Sequence, residues 1–175
     1  MKVYIVRHGQ IPSNALKRHT NPYEDLTELG IKQAEELKDK IKDIEFDIIY
    51  VSPFLRARHT AEIINTKYIQ TIIDDRLQER DCGNLSGKPL EDDEERIDYW
   101  DYFSLKNHGT SENIKPFFNR VYSFLDELKG KEYNTVLVVG HSGISKAFSG
   151  YFEGIGDGKF LNRGLRNCEI KEYEF

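Results

Sequence analysis

Residues Thr135 to Val139 form an uncharged run, Thr-Val-Leu-Val-Val, closed by Gly140-His141-Ser142-Gly143. Five residues rich in β-branched side chains are too few for a helix. They read as a central strand buried on both faces. That constrains the fold strongly, because such a strand needs a helical layer against each face. A second apolar run, Val3-Tyr4-Ile5-Val6, ends at Arg7-His8-Gly9. An imidazole beside a guanidinium is a poor core pair. Where a buried strand surfaces, it is a good start for a site that attacks a phosphate.

The rest of the chain alternates in the same way. Strands are predicted over Lys2–Val6, Phe46–Val51, Ile69–Ile73 and Thr135–Val139, with an edge strand over Glu169–Phe175. A helix is predicted over Thr27–Lys42, with Thr27 as N-cap and Gly30, Ala34, Leu37, Ile41 and Ile44 along one face. A second is predicted over Pro53–Thr66, where Ser52 is the expected N-cap and Pro53 the first helical residue. A third, over Ser111–Lys129, has the stripe Ile114, Phe117, Phe118, Val121, Leu125 and Leu128 and stops at Gly130. A short helix follows Gly143. Between Leu77 and His108 the pattern is irregular, punctuated by Gly83, Gly87 and Pro89. Tyr99, Trp100, Tyr102 and Phe103 are expected in a short helix there, and the acidic run Glu91–Glu95 on an exposed surface. The predicted fold is α/β. It is a three-layer sandwich with a mostly parallel central sheet flanked by helices, and a short irregular cap follows the third strand. Residues 1–175 form one domain, with the cap at about 80–113.

In open α/β sheets ligands bind beyond the carboxyl ends of the strands. Arg7 and His8 follow the first strand, Arg56 lies in the first helical turn after the second, Glu79 follows the third and His141 the fourth. Four segments thus deliver two histidines, two arginines and a glutamate to one edge. Guanidinium forks match phosphate oxygens two at a time, and the Ser142-Gly143 turn opening a helix offers backbone N–H donors. Fixed cations disfavour the imidazolium, so a neutral His8 can act as a nucleophile. Glu79 is then the candidate acid for the leaving alkoxide, favoured in its protonated form by a bound dianion, and His141 can stabilise the equatorial oxygens.

Composition narrows the class. The net charge of -5 argues against a general nucleic-acid or anionic-membrane binder, while leaving room for a local basic pocket. No stretch approaches the roughly 20 apolar residues of a membrane span, and no signal-peptide core is present. Cys82 and Cys168 stand apart without metal-ligand spacing, so neither a disulfide framework nor a metal site is expected, and a reduced cytoplasmic setting is the simplest reading. Gly140-His141-Ser142-Gly143 has the wrong spacing for a hydrolase nucleophile elbow.

Read together, the motifs resemble the histidine phosphatase superfamily, the phosphoglycerate-mutase-like group. Arg7-His8-Gly9-Gln10 with Asn14 resembles its signature. Leu26-Thr27-x-x-Gly30-x-x-Gln33-Ala34 and Ser52-Pro53-x-x-Arg56-Ala57-x-x-Thr60-Ala61 resemble its next two motifs. Leu77-x-Glu79 with Gly83 and Gly87 resembles the proton-donor segment. Val139-Gly140-His141-Ser142-Gly143 resembles the segment of the second histidine, and Asn167 before the last strand also fits. The resemblance implies that His8 is phosphorylated, that Arg7, Arg56, His141 and Asn14 hold the phosphate, and that Glu79 is general acid and then base. It implies no metal or other cofactor. Arg80, Ser142 and Gly143 are added as substrate-binding candidates.

The departures bear on function. The family's Gly-Glu-Ser before the long helix is replaced by Gly109-Thr110-Ser111, so no substrate role passes to Thr110. Phosphoglycerate mutases carry a longer insertion and an adjacent arginine pair, whereas the only arginine between Gly83 and Gly109 is Arg96. The expectation is therefore a metal-independent phosphatase acting on a small phosphorylated metabolite, with α-ribazole phosphate among the candidates. The alternatives are a phosphoglycerate mutase, a phosphoprotein or phosphohistidine phosphatase, and an inactive binding module on this fold. Assembly into a homodimer is left open. Arg18 and Thr20 are candidates for the pocket border, and the cap aromatics for covering the substrate. His19, His59 and His108 have no motif support.

Overall fold

The computed structural model describes residues 1–90 and 92–175. Its centre is a five-stranded sheet in the order β3-β2-β4-β1-β5. The strands are β1 (Lys2–Arg7), β2 (Ile48–Val51), β3 (Thr71–Ile73), β4 (Thr135–Gly140) and β5 (Ile170–Glu174). Four run parallel, and β5 pairs antiparallel with β1 at one edge. The expected mostly parallel sheet between helices is what the chain forms.

Alternation along the strands builds the two cores. Val3, Ile5, Ile48, Tyr50, Val136 and Val138 face helices α5 (Ile114–Lys129) and α6 (Ser142–Glu153). Val6, Ile49, Val51, Leu137 and Val139 face α2 (Glu28–Ile41) and α3 (Leu55–Ile64). Val136 to Val139 are at most 1% exposed, so the opening run is a strand buried on both sides. The register aligns Val6 and Val51 with Val139, and Arg7 with Gly140. Three strands therefore end level, which sets the residues beyond them side by side.

Several boundaries differ from expectation. Ser52 is not an N-cap. Its amide still donates to Val139 O (3.0 Å), so the chain has not left the sheet, and α3 starts at Leu55 with Phe54 as N-cap. The cap helix α4 (Asp93–Tyr99) precedes most of the aromatics. Asp92 caps it by accepting from the Glu95 amide (3.0 Å), and its first turn is acidic, which suits a helix N-terminus. Asp92, Asp93 and Glu94 are exposed as expected, and Glu95 is half-buried; Glu91 lies outside the described residues. A short helix α1 (Pro12–Ala15) was not expected. Thr27 does cap α2, its Oγ1 accepting from Gly30 N (3.1 Å). Among the described residues, no helix is long and apolar enough to cross a membrane.

Candidate active site

The loop after β1 is fixed from two directions. A Cβ on Gly9 would overlap the Gly30 carbonyl, and one on Gly30 would overlap the Gln10 carbonyl. Two glycines thus let the start of α2 lie against the chain just beyond His8. Gln33 Oε1 accepts from Gln10 N (2.9 Å), and Thr27 N donates to Gln10 O (2.9 Å). From α3, Thr60 Oγ1 accepts from Gly9 N (3.1 Å) and donates to Arg56 O (2.8 Å). The His8 amide donates to Gly140 O (3.0 Å), and Asn167 Nδ2 donates to His8 O (3.0 Å).

His8 is 2% exposed and its ring centroid lies 5.2 Å from that of His141, which is fully buried. Gly9 O can only accept, so the 2.7 Å contact with His8 Nδ1 puts the ring proton on Nδ1 and leaves the lone pair on Nε2. Burial, reinforced by Arg56 and Arg7, holds the His8 pKa well below the usual histidine range. His141 is lowered in the same direction by burial, Arg56, His8 and Arg7. Both rings are therefore neutral near pH 7. Ser52 Oγ accepts from Phe54 N (3.3 Å) and lies 2.7 Å from His141 Nε2. With the Ser52 proton donated to Nε2, His141 carries its own proton on Nδ1.

Three buried donors converge here without a protein partner among the described residues: Arg7 Nε, Arg56 Nε and His141 Nδ1. Arg7 spends Nη1 on Leu165 O (3.0 Å), and Arg56 spends Nη1 on Asn21 O (2.9 Å). Arg56 is 1% exposed, and burial lowers its pKa to about 10, so it stays cationic at neutral pH. Orphaned buried donors carry a desolvation cost of roughly 1–3 kcal/mol each. Each is a donor that an oxyanion beside His8 can use.

Glu79 sits at the start of α6. Its Oε2 accepts from Gly143 N (3.0 Å) and its Oε1 from Arg80 N (2.9 Å). This corrects one expectation: the Gly143 amide is taken by Glu79 and is not a free phosphate donor. A cavity of about 420 Å³ borders Glu79, lined also by Arg56, Phe54, Asp81, Glu112 and Arg120. A second, of about 230 Å³, also borders it, with Arg7, Asn14, Ser142 and Lys146 in its wall. Asn14 Oδ1 accepts from Asn167 Nδ2 (3.1 Å), so its NH₂ is the group left to donate. Arg80 borders both cavities, but it is 4% exposed and holds the cap. Its Nε donates to Glu112 O (2.7 Å), its Nη1 to Tyr99 O, and its guanidinium lies 3.8 Å from the Tyr99 ring centroid.

Arg18 and Thr20 border the smaller cavity as expected, with Tyr99 and Trp100; Phe103 is 56% exposed, and Tyr102 packs on Phe118. His59 pairs with Asp25 (2.9 Å), and His108 Nε2 lies 3.0 Å from Asp98 Oδ2. Thr110 pins the cap, its Oγ1 accepting from Asn84 N (2.9 Å). Sequence reasoning missed Ser52 as a partner of His141. It also missed Arg120, which holds the carbonyls of Arg76, Gln78 and Glu79 (2.7, 2.8 and 3.2 Å). Lys146 was missed as well, though a lysine amid Ile144, Ala147 and Phe148 is a readable anomaly.

Residues 3–175 match the histidine phosphatase superfamily (branch 1), and the chain belongs to that family. It is thus an enzyme of the phosphoric monoester hydrolase class, histidine phosphatase type. Phosphoserine phosphatase 1 of Hydrogenobacter thermophilus is 32% identical over 177 residues, covering 96% of this chain and 83% of that protein. A 2,3-bisphosphoglycerate-dependent phosphoglycerate mutase of Rhizobium etli is 39% identical, but over 108 residues, 55% of this chain and 51% of that protein. Among solved structures, the alpha-ribazole phosphatase from Shigella flexneri shares the fold. It has a TM-score of 0.82 and 22% identity, over 98% of this chain and 89% of that one.

Proposed function

We propose that the chain hydrolyses phosphomonoesters of small metabolites through a phosphohistidine on His8, with no metal ion in the reaction. The observation that carries this reading is the neutral, buried His8 with its Nε2 lone pair free, beside three orphaned donors from Arg7, Arg56 and His141. Nε2 attacks phosphorus in line, the N–P bond forms and the P–O bond to the alcohol breaks. Glu79 gives its proton to the departing alkoxide. Arg7, Arg56 and His141 take up the equatorial oxygens as charge develops on them. In the second half, Glu79 accepts a proton from water, the water oxygen bonds to phosphorus, and neutral His8 leaves. The proton that Glu79 gives to the alkoxide is restored to it from water, which closes the cycle.

Hydrolysis rather than phosphoryl shuffling is supported by the relatives. The phosphoserine phosphatase aligns over nearly the whole chain, while the mutase aligns over about half of it. The cavities beside Glu79, about 420 and 230 Å³, suit a small alcohol. Rapid quenching with ³²P-labelled substrate tests the reading. Wild type is expected to retain acid-labile label on protein, and His8→Ala none. Equal labelling of both proteins overturns the nucleophile assignment. Isomerisation of phosphoglycerate without net phosphate release would make the protein a mutase.

A further inference from the structure

The two cavities that border Glu79 differ in charge. Among its described lining residues, the larger sets Glu79, Asp81 and Glu112 against Arg56, Arg80 and Arg120. Among its described lining residues, the smaller sets Glu79 alone against Arg7, Arg18, Arg80, Arg96 and Lys146. That excess stands out in a chain of net charge -5. Arg7 is assigned to the phosphoryl group and Arg80 to the cap. Arg18, Arg96 and Lys146 have no role in the reaction described above.

Lys146 is the most telling of these. It is 4% exposed, and its ammonium donates to Phe160 O (2.9 Å) and Leu161 O (2.5 Å) while lying 4.9 Å from the Trp100 ring centroid. An ammonium has three protons, so two carbonyls leave one over. Burial lowers its pKa to about 7, with Glu79 opposing that shift and Arg7 adding to it. An anion in the cavity would offset that burial and accept the remaining proton. Lys146 lies about one helical turn after Ser142 on the same face of α6, about 6 Å along the axis. Arg96 reaches the cavity from α4, one of its nitrogens pairing with Asp93 (2.9 Å). Arg18 is exposed, and its Nη1 makes a long contact with Gly87 O (3.4 Å).

We infer that Lys146, Arg96 and Arg18 form a subsite for a second anionic group on the substrate, within a few bonds of the phosphoester. The substrate class is then a phosphomonoester whose alcohol itself bears a carboxylate or another phosphate. This rests on the phosphatase reading above.

Matched substrates test it. 3-Phosphoglycerate and glycerol 3-phosphate differ by a carboxylate in place of a hydroxymethyl group, and 1,3-propanediol bisphosphate supplies the phosphate arm. Wild type is expected to favour one of the two dianionic-plus-anionic esters over glycerol 3-phosphate by at least about tenfold in kcat/KM. Whichever arm leads identifies the group. In Arg96→Gln, and in Lys146→Met where it folds, that ratio is expected to fall toward one. Equal turnover of all three by wild type, or a ratio surviving in Arg96→Gln, overturns the subsite while leaving the phosphatase reading intact. No turnover of these or of p-nitrophenyl phosphate defeats the phosphatase reading and the subsite with it.

Discussion

Replacing Gly143 by alanine adds a single methyl group at the most crowded point of the site. A Cβ there would overlap Glu79 Oε1 and stand 2.9 Å from Trp100 Cη2 and 3.0 Å from Phe117 Cζ. Phe117 is fully buried, and Trp100 is held through the Phe160 N to Trp100 O bond (2.9 Å), so neither ring can retreat freely. Glu79 is the flexible neighbour. Moving it breaks the 3.0 Å bond from Gly143 N. Overpacking of this kind costs about 1–3 kcal/mol. For a chain of this length that is a fall in Tm of roughly 2–12 °C. The kinetic effect is expected to separate by substrate. Alkyl phosphates need a proton on the leaving oxygen, and general acid catalysis contributes about 10²–10⁴-fold. p-Nitrophenolate leaves with little protonation. Gly143→Ala is therefore expected to slow kcat on alkyl phosphates at least about tenfold more than on p-nitrophenyl phosphate, with the same pattern in Glu79→Gln. Paired steady-state assays and a thermal melt read both consequences. A variant with wild-type Tm and an unchanged alkyl-to-aryl ratio refutes the argument that Gly143 exists to seat Glu79.

Other expectations follow from the buried imidazoles. His8 and His141 have depressed pKa values when folded, so the unfolded chain binds protons first as pH falls below about 6.5; stability is present above that pH and declines below it. Each ring contributes a slope of up to about 1.4 kcal/mol per pH unit in that window; chemical denaturation of wild type and His8→Asn between pH 7 and 5 should show a shallower loss in the variant. Removing a cation beside His8 should raise its pKa. Arg56→Gln is therefore expected to move the acid limb of kcat/KM upward, toward pH 6.5, besides weakening phosphate binding. An acid limb unmoved in that variant would contradict the electrostatic account. Ser52→Ala leaves His141 Nε2 without its 2.7 Å partner; a loss of about 1–3 kcal/mol in transition-state stabilisation is expected, mainly in kcat and recovered in Ser52→Thr.

The sheet was legible because hydrophobic alternation is a local property. Thr135–Val139 announced a strand covered on both faces, and the strand-end rule then placed Arg7, His8, Arg56, Glu79 and His141 on one edge. What the sequence concealed was partnership. Ser52 reads as a helix cap because serine before proline usually is one. Only the register with β4 shows that its amide is still in the ladder, with its hydroxyl turned to His141. Gly143 reads as a donor at a helix start. Only the approach of Glu79 from the third strand shows the donor already engaged. Gly9 and Gly30 stand in separate motifs, and their shared reason, mutual backbone contact, is tertiary.

The cap was opaque for a different reason. The cap and the segments beside it are held by charged side chains that bond backbone carbonyls: Arg80 to Glu112 and Tyr99, Lys146 to Phe160 and Leu161, Arg120 to Arg76, Gln78 and Glu79. A carbonyl acceptor is present at every residue, so such contacts leave no mark on residue type or spacing. Glu79 borders both a charge-balanced cavity and a basic one, and in the proposed mechanism its proton must reach an oxygen lying toward one of them. On the subsite proposal, the choice falls to Arg96, Arg18 and Lys146, residues that none of the matched motifs contains. Substrate selection is then separable from catalysis, and substitutions in that trio should redirect it without touching His8.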